Sequence, residues 1–169
     1  MFRRCRLLSV PLLLLLAALP ATAGPPSGLD PAEWRGLLDG AGLGQARPAE
    51  RHGYPGPLHV LELATELELD PGQRSRTQAL FDAMQAQARQ LGAAIVEGER
   101  ALDAAFAGGS IDATAVAALT AGIARLRGEL RAVHLQAHLE QRALLSAAQI
   151  ARYRALRADA AAHPHAAGH

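Results

Sequence analysis

Apolar residues recur at alternating steps of three and four positions over two long stretches of the chain. In the first stretch the stripe comprises Thr77, Phe81, Met84, Ala88, Leu91, Ile95, Gly98, Leu102 and Ala105. In the second it comprises Val116, Leu119, Ile123, Leu126, Leu130, Val133, Ala137, Glu140 and Leu144. This spacing places each set on one face of an α-helix, as in helices that pack along their whole length. The pattern predicts two long helices, over residues 71–107 and from just after Asp112 to about Leu144.

The link between these two stretches is short, so the helices are expected to fold back on each other as an antiparallel hairpin. Two glycines end the first helix, and Asp112 can cap the second. In an antiparallel pair, the residue numbers of facing stripe positions have a constant sum. Leu102 with Val116 and Phe81 with Ala137 meet that condition. The sequence therefore predicts the register of the hairpin as well as its existence.

Shorter elements are expected on both sides of the hairpin. Residues 24–56 are rich in Gly and Pro and predict a loose N-terminal arm with one short helix, which begins at Asp30. A further short helix is predicted over residues 58–68, and a final one over residues 147–160. The histidine-containing tail, residues 161–169, is expected to be disordered.

Composition agrees with an all-α fold, because aromatic residues make up only 4% of the chain and good helix formers dominate. The predicted fold class is a long antiparallel helical hairpin with short flanking helices, and residues 57–160 form its helical domain. Such a hairpin has little core of its own, which favours a homodimer.

The first 23 residues have the pattern of a cleaved secretory signal. Three arginines precede an apolar run, and small residues at positions 21–23 suit a signal peptidase. The run is too short for a membrane span, which needs about 20 residues. No membrane span is therefore expected after cleavage, and the predicted location is the periplasm. Retention of the segment as an uncleaved anchor is the alternative.

Charge and residue chemistry exclude several classes of function. The chain contains no lysine, and removal of three signal arginines leaves 14 of its 17 basic residues against 16 acidic ones. No strong field of one sign remains, so nucleic acid is not an expected partner. The only cysteine lies in the signal segment, and no Ser-His-Asp order or phosphate-binding glycine loop is present. An enzyme is therefore not expected.

Two five-residue motifs begin helices with the same pattern: Leu69-Asp70-Pro71-Gly72-Gln73 and Leu145-Ser146-Ala147-Ala148-Gln149. In each, an apolar residue precedes a capping residue, Asp70 or Ser146. A glutamine, Gln73 or Gln149, follows three residues later, where its side chain can reach back to the backbone N–H of the cap. We call them motif 1 and motif 2.

Two such motifs around a long hairpin, behind a signal segment, resemble the Spy/CpxP family of periplasmic proteins. The signature of that family is Leu-Thr-x-x-Gln, and Asp70 and Ser146 stand where it has threonine. The resemblance covers roughly residues 54–157. Residues 53–63 are also similar to a subgroup of refolding chaperones or periplasmic heavy-metal sensors. One departure is the slightly acidic charge of this chain, since the chaperone members have a basic client-binding surface.

The resemblance implies two kinds of function. The first is an ATP-independent chaperone or stress-response protein, with unfolded or misfolded envelope proteins, or a stress sensor, as its partner. Candidate client-binding residues are Arg127, Arg131, Leu135 and Leu139, which lie along one strip beside the stripe of the second long helix. This function requires no cofactor.

The second implied function is metal binding or sensing. His134 and His138 lie four residues apart on one helix face, and neutral imidazoles in that arrangement can hold Zn, Ni or Cu. Further ligands could come from His59 and Glu62 if the short helix that carries them folds back along the hairpin. The alternative is that the two histidines pair with Asp82 or are simply solvated.

Overall fold

The computed structural model of the protein describes residues 24–162, so the predicted signal peptide and the tail from residue 163 onward lie outside the described residues. All regular structure in the described part is α-helical, which confirms the predicted fold class. The elements are α1 (Pro31–Asp39), α2 (Arg47–Arg51), α3 (Pro57–Glu62), α4 (Pro71–Ala107), α5 (Ala113–Leu144) and α6 (Ala147–Ala162). Across residues 24–162, no helix combines the length and the apolar character needed to cross a bilayer.

Helices α4 and α5 form the predicted antiparallel hairpin, and their bounds agree with the apolar stripes. The side-chain amide of Gln141 donates a hydrogen bond of 3.1 Å to the Thr77 hydroxyl, and both residues are fully buried. This pair has the same number sum as Leu102 with Val116, which confirms the register. Glu140, which was predicted on the stripe, is exposed instead. A straight helix drifts from a seven-residue repeat, so Gln141 takes the buried position.

The N-terminal segment differs from the loose arm with one short helix that composition predicts. It contains two helices, α1 and α2, and α1 lies directly on α4. The contact is so close that a Cβ atom on Gly92 would lie 1.9 Å from the carbonyl oxygen of Leu37. The guanidinium of Arg89 also donates to the carbonyl of Asp39 at 3.2 Å. Glycines such as Gly40 and Gly44 lie in turns between packed elements, while Pro31 and Pro48 stand at the starts of α1 and α2. The segment covers one face of the hairpin.

Two apolar clusters hold the structure together. The first joins α1 to the middle of the hairpin and comprises the buried residues Leu29, Leu37, Ala88, Ile95, Val96 and Leu130. The second lies at the open end of the hairpin and comprises Val60, Leu67, Leu145 and Tyr153. Apolar burial of this kind is the main favourable term in folding. The hairpin thus shares its core with both flanking segments, and the expected homodimer stays a prediction.

Helix α3 is shorter than the predicted helix over residues 58–68, because regular helix ends at Glu62. Turns follow, and Glu68 adopts a positive φ of 50°. This left-handed residue reverses the chain just before motif 1. Leu67, before this turn, belongs to the second apolar cluster, and Leu69, after it, packs against that cluster.

Candidate functional site

The two motifs meet at the open end of the hairpin through their glutamines. The Gln73 amide nitrogen donates to the Gln149 side-chain oxygen at 2.9 Å, and the reverse bond has the same length. The second N–H of Gln73 reaches the carbonyl of Leu144 at 2.9 Å, while that of Gln149 reaches the carbonyl of Leu67 at 3.2 Å. Each amide therefore bonds to its counterpart and to a backbone carbonyl that precedes the opposite motif.

Each glutamine also closes the predicted capping box of its own helix. The Gln73 oxygen accepts from the backbone N–H of Asp70 at 3.2 Å, and the Gln149 oxygen accepts from that of Ser146 at 2.9 Å. The caps return the bond, because the Asp70 carboxylate and the Ser146 hydroxyl accept from the glutamine backbone N–H groups. Leu145 is buried in the second apolar cluster, and Leu69 packs against it. The motifs therefore connect the starts of α4 and α6, and each motif provides hydrogen-bond partners for polar groups of the other.

A cavity of about 360 Å³ lies between the hairpin and the N-terminal segment. Its lining includes His134 and His138 from α5, His59 from α3, Glu50 from α2 and Met84 from α4. We call it the histidine pocket. The structure thus brings together the three histidines that the sequence singled out, from segments far apart along the chain.

His138 is 6% exposed, and its ring is held in one orientation. The ring atom Nδ1 lies 2.8 Å from the carbonyl oxygen of Tyr54, which can only accept, so Nδ1 carries the proton. In the neutral ring, Nε2 then has a free lone pair. Gly56 lies against this edge of the ring, and a Cβ atom there would approach Nε2 to 2.9 Å. A carbonyl that fixes the tautomer of a histidine in this way is typical of metal-ligating histidines.

His134 is 3% exposed, and its Nε2 atom has no hydrogen-bond partner among residues 24–162. Burial lowers the pKa of the imidazole, and the neighbouring His138 lowers it further. The surroundings of the ring therefore favour its neutral form, which is the form that binds metals. Asp82, the alternative partner, accepts a hydrogen bond from Gln78 instead. Neither pairing with Asp82 nor simple solvation describes the two histidines.

His59 and Glu50 form the facing wall of the pocket. The His59 Nδ1 atom lies 3.9 Å from a Glu50 carboxylate oxygen, and the two side chains are 29% and 37% exposed. Glu62, the other predicted ligand, is exposed and does not line the pocket. Glu50 takes its place, and sequence reasoning missed it because its segment was predicted to be loose. The Met84 thioether was predicted only as a stripe residue.

The nitrogen, oxygen and sulfur atoms of the pocket are suitable ligands for a transition metal, but the side chains that carry them do not converge on one point. Within the described part of the chain, no three His, Cys, Asp or Glu side chains are grouped closely enough to hold a metal ion. The buried, unpartnered Nε2 of His134 and the oriented ring of His138 fit such an ion. His59 and Glu50 would have to turn further into the cavity, which their partial exposure allows.

The four predicted client-binding residues differ in their surroundings. Arg127 donates to Glu33 at 2.7 Å and to Glu99 at 3.2 Å, so its charge ties α1 to both arms of the hairpin. Leu135 is half-buried. Arg131 is exposed, and Leu139 is 57% exposed. Only these last two of the four face solvent.

Comparison with known proteins adds one finding to this geometry. No curated protein and no solved structure matches the chain. The sequence model of a family described as heavy-metal resistance matches residues 10–152, which is most of the chain. That family is related to the Spy/CpxP group, and its members are typically periplasmic. The matched region includes both motifs and all five ionisable residues that line the histidine pocket, and the chain belongs to the heavy-metal resistance family.

Proposed function

We propose that this protein is a periplasmic metal-binding protein, and not an enzyme, which holds a divalent transition-metal ion in the histidine pocket for resistance or sensing. The observation that carries the proposal is the buried Nε2 atom of His134, which has no hydrogen-bond partner among the described residues. An unsatisfied buried polar atom is costly, and because the His134 ring also lines the cavity, we take this nitrogen as a metal ligand. Beside it, the Tyr54 carbonyl accepts a hydrogen bond from Nδ1 of His138, which leaves the lone pair on Nε2 of that ring free.

In this proposal, His134 and His138 supply two nitrogen ligands, and His59 with Glu50 complete the set from the facing wall. Imidazole nitrogen suits Zn, Ni and Cu, and the carboxylate adds a charge that favours any of them. The Met84 thioether in the same cavity would favour the softer ions. The ion is the cargo or the signal, and no covalent bond forms or breaks when it binds.

The position of these residues explains how metal binding could be reported to the rest of the cell. Two of the ligands belong to the hairpin, and the other two belong to α2 and α3. A bound ion would therefore fasten the N-terminal segment to the hairpin. A ligand that binds only the folded state stabilises it in proportion to the logarithm of its concentration above Kd. Metal would thus change the surface formed by the N-terminal segment.

Calorimetric titration of the full chain with Zn²⁺, Ni²⁺ and Cu²⁺ tests this proposal. The tail histidines are replaced in every sample (His163→Ala, His165→Ala and His169→Ala), so that the tail does not contribute. We expect the double variant His134→Ala, His138→Ala to bind the preferred metal at least 100-fold more weakly, because it removes two ligands.

The matched control is His52→Ala, an exposed histidine that lies outside the histidine pocket. Its Kd should equal that of the parent. The single change Glu50→Gln should weaken binding by about tenfold, because it keeps the shape and removes the charge. An unchanged Kd in the double histidine variant would show that the metal binds elsewhere.

A second candidate function is ATP-independent binding of unfolded envelope proteins, or of a stress sensor. The exposure of Leu139, at 57%, favours it, since an apolar side chain on the outer face of a long helix can bury part of a client. We expect the protein to suppress the aggregation of a denatured client without ATP, and Leu139→Ser to weaken this suppression about twofold. Undiminished aggregation at several-fold molar excess of protein contradicts this function.

A further inference from the structure

A second concave site lies on the other flank of Glu50. This cleft of about 590 Å³ is lined by three arginines, Arg51 from α2 and Arg154 and Arg157 from α6, and we call it the arginine cleft. Glu50 is the one carboxylate in its lining. Three guanidinium groups against one carboxylate leave two positive charges in excess. The metal-binding proposal makes no use of these residues.

The arginines of the cleft form no ion pair with the part of the protein that the structure describes. Among residues 24–162, none of the three lies within ion-pair distance of a carboxylate. The three arginines are exposed, and like charges around one cleft that has a single counter-charge repel each other. A cluster of this kind is therefore favourable when an anion occupies it, because guanidinium groups bind oxyanions through paired hydrogen bonds.

One of the three arginines is tied to the neighbouring turn. Arg154 donates to the carbonyl of His52 at 3.2 Å, and its guanidinium lies against Gly53. A Cβ atom on Gly53 would approach Arg154 Nε to 2.0 Å, and the glycine also has a positive φ of 74°. Arg142 fixes the same turn from behind, because it donates to the carbonyl of Gly53 at 3.0 Å and stacks on Tyr54. The turn and the arginine are therefore positioned before any ligand arrives.

The wall between the cleft and the core is uncharged. Tyr153 lines the cleft and is 3% exposed, and burial raises the pKa of its phenol. A neutral phenol adds no negative charge to the excess of two positive charges. The cleft therefore matches a compact anion with several oxygen atoms and up to two negative charges.

We propose that the arginine cleft binds a phosphate group, either as free phosphate or as part of a phospholipid headgroup. Arg154 provides the fixed contact, and Arg51 and Arg157 close on the anion from the two sides of the cleft. Glu50 opposes binding, since its carboxylate lines the same space. The proposal is independent of the histidine pocket, although Glu50 lines both cavities.

Titration of the full chain with inorganic phosphate, in the presence of a chelator and without added metal, tests this site. We expect saturable binding that Arg157→Ala and Arg51→Ala each weaken about tenfold, which is the usual value of one charge-assisted contact. Arg154 is left unchanged because it also holds the turn at His52. The variant Glu50→Gln should bind phosphate several-fold more tightly, since it removes the opposing charge.

The matched control is Arg152→Ala, which removes the same charge from an exposed position of α6 outside the cleft. It should leave the phosphate Kd unchanged. Sedimentation with vesicles that contain phosphatidylglycerol separates the two sources of phosphate. If vesicles bind and Arg157→Ala abolishes binding, the ligand is a headgroup; if only free phosphate binds, it is the soluble anion. Absence of binding in both assays, or equal losses in Arg157→Ala and Arg152→Ala, overturns the proposal.

Because Glu50→Gln is expected to weaken metal binding and to strengthen phosphate binding, the two proposals fail separately. A parallel loss of both activities would indicate that the variant is misfolded. Circular dichroism checks this: a correctly folded Glu50→Gln variant has the same helical signal as the parent.

Discussion

Replacement of Gln149 by alanine is expected to lower the free energy of unfolding by about 3 kcal/mol. The change leaves the Gln73 amide without its reciprocal partner and removes the hydrogen bonds to the carbonyl of Leu67 and the N–H of Ser146. Partly buried polar groups that lose a partner cost about 1–3 kcal/mol each, and water can replace some of these bonds. Urea denaturation followed by the helical circular dichroism signal measures the loss.

The matched control is Gln78→Ala on α4, the helix that carries Gln73; its amide donates to Asp82 on the exposed face. Its effect should stay below about 0.5 kcal/mol. In the double variant Gln73→Ala, Gln149→Ala, the loss should be smaller than the sum of the two single losses, because both changes break the same pair. Additive losses would mean that the two amides do not stabilise each other.

Replacement of Gly92 by alanine is expected to release α1 from the hairpin at a cost of about 3 kcal/mol. The new Cβ atom would lie 1.9 Å from the carbonyl oxygen and 2.6 Å from the carbonyl carbon of Leu37. These are backbone atoms, so no rotamer change relieves the contact. Helix α1 must move away, and Leu37 and Trp34 then lose their packing against the first apolar cluster.

Trp34 provides the measurement, because it is the single tryptophan of the chain. Its fluorescence should shift to longer wavelength in Gly92→Ala, while the circular dichroism of the hairpin is largely kept. Gly122→Ala on α5 is the control, since a Cβ atom there meets nothing within 4 Å. It should stabilise the helix by up to about 1 kcal/mol. Equal behaviour of the two variants would contradict the close contact between α1 and α4.

Much of the hairpin could be predicted from sequence because its determinants are local or periodic. The capping boxes at Asp70 and Ser146 depend on residues three positions apart, and the apolar stripes fix the bounds and the register of α4 and α5. The register pairs Phe81 with Ala137, which lies between the two histidines along α5, and Phe81 lines the same cavity as both of them. Among the stripe positions, only Glu140 is exposed, because the drift of a straight helix moves the buried position by one residue.

The remaining features depend on contacts between distant segments, which no local pattern encodes. The pairing of Gln73 with Gln149 becomes visible only when the two motifs are brought to one end of the hairpin. Glu50 was missed for a similar reason, since its place in the histidine pocket depends on the docking of the N-terminal segment, whose helix α1 packs on Gly92 of the hairpin. That docking requires the absence of a side chain at Gly92. A glycine within a helix is equally typical of a flexible position, so the sequence alone does not predict the contact.

The antiparallel pairing of α4 and α5 limits how this protein can change its length during evolution. An insertion in one arm alone would carry Thr77 away from Gln141 and separate the motifs that close the open end. Equal insertions on both sides of the turn at residues 108–112 leave those pairs in place, and steps of about seven residues also keep the apolar stripe on its face. Relatives are therefore expected to differ in length by matched heptads at the tip, while the pocket and the motifs stay at a fixed distance from each other.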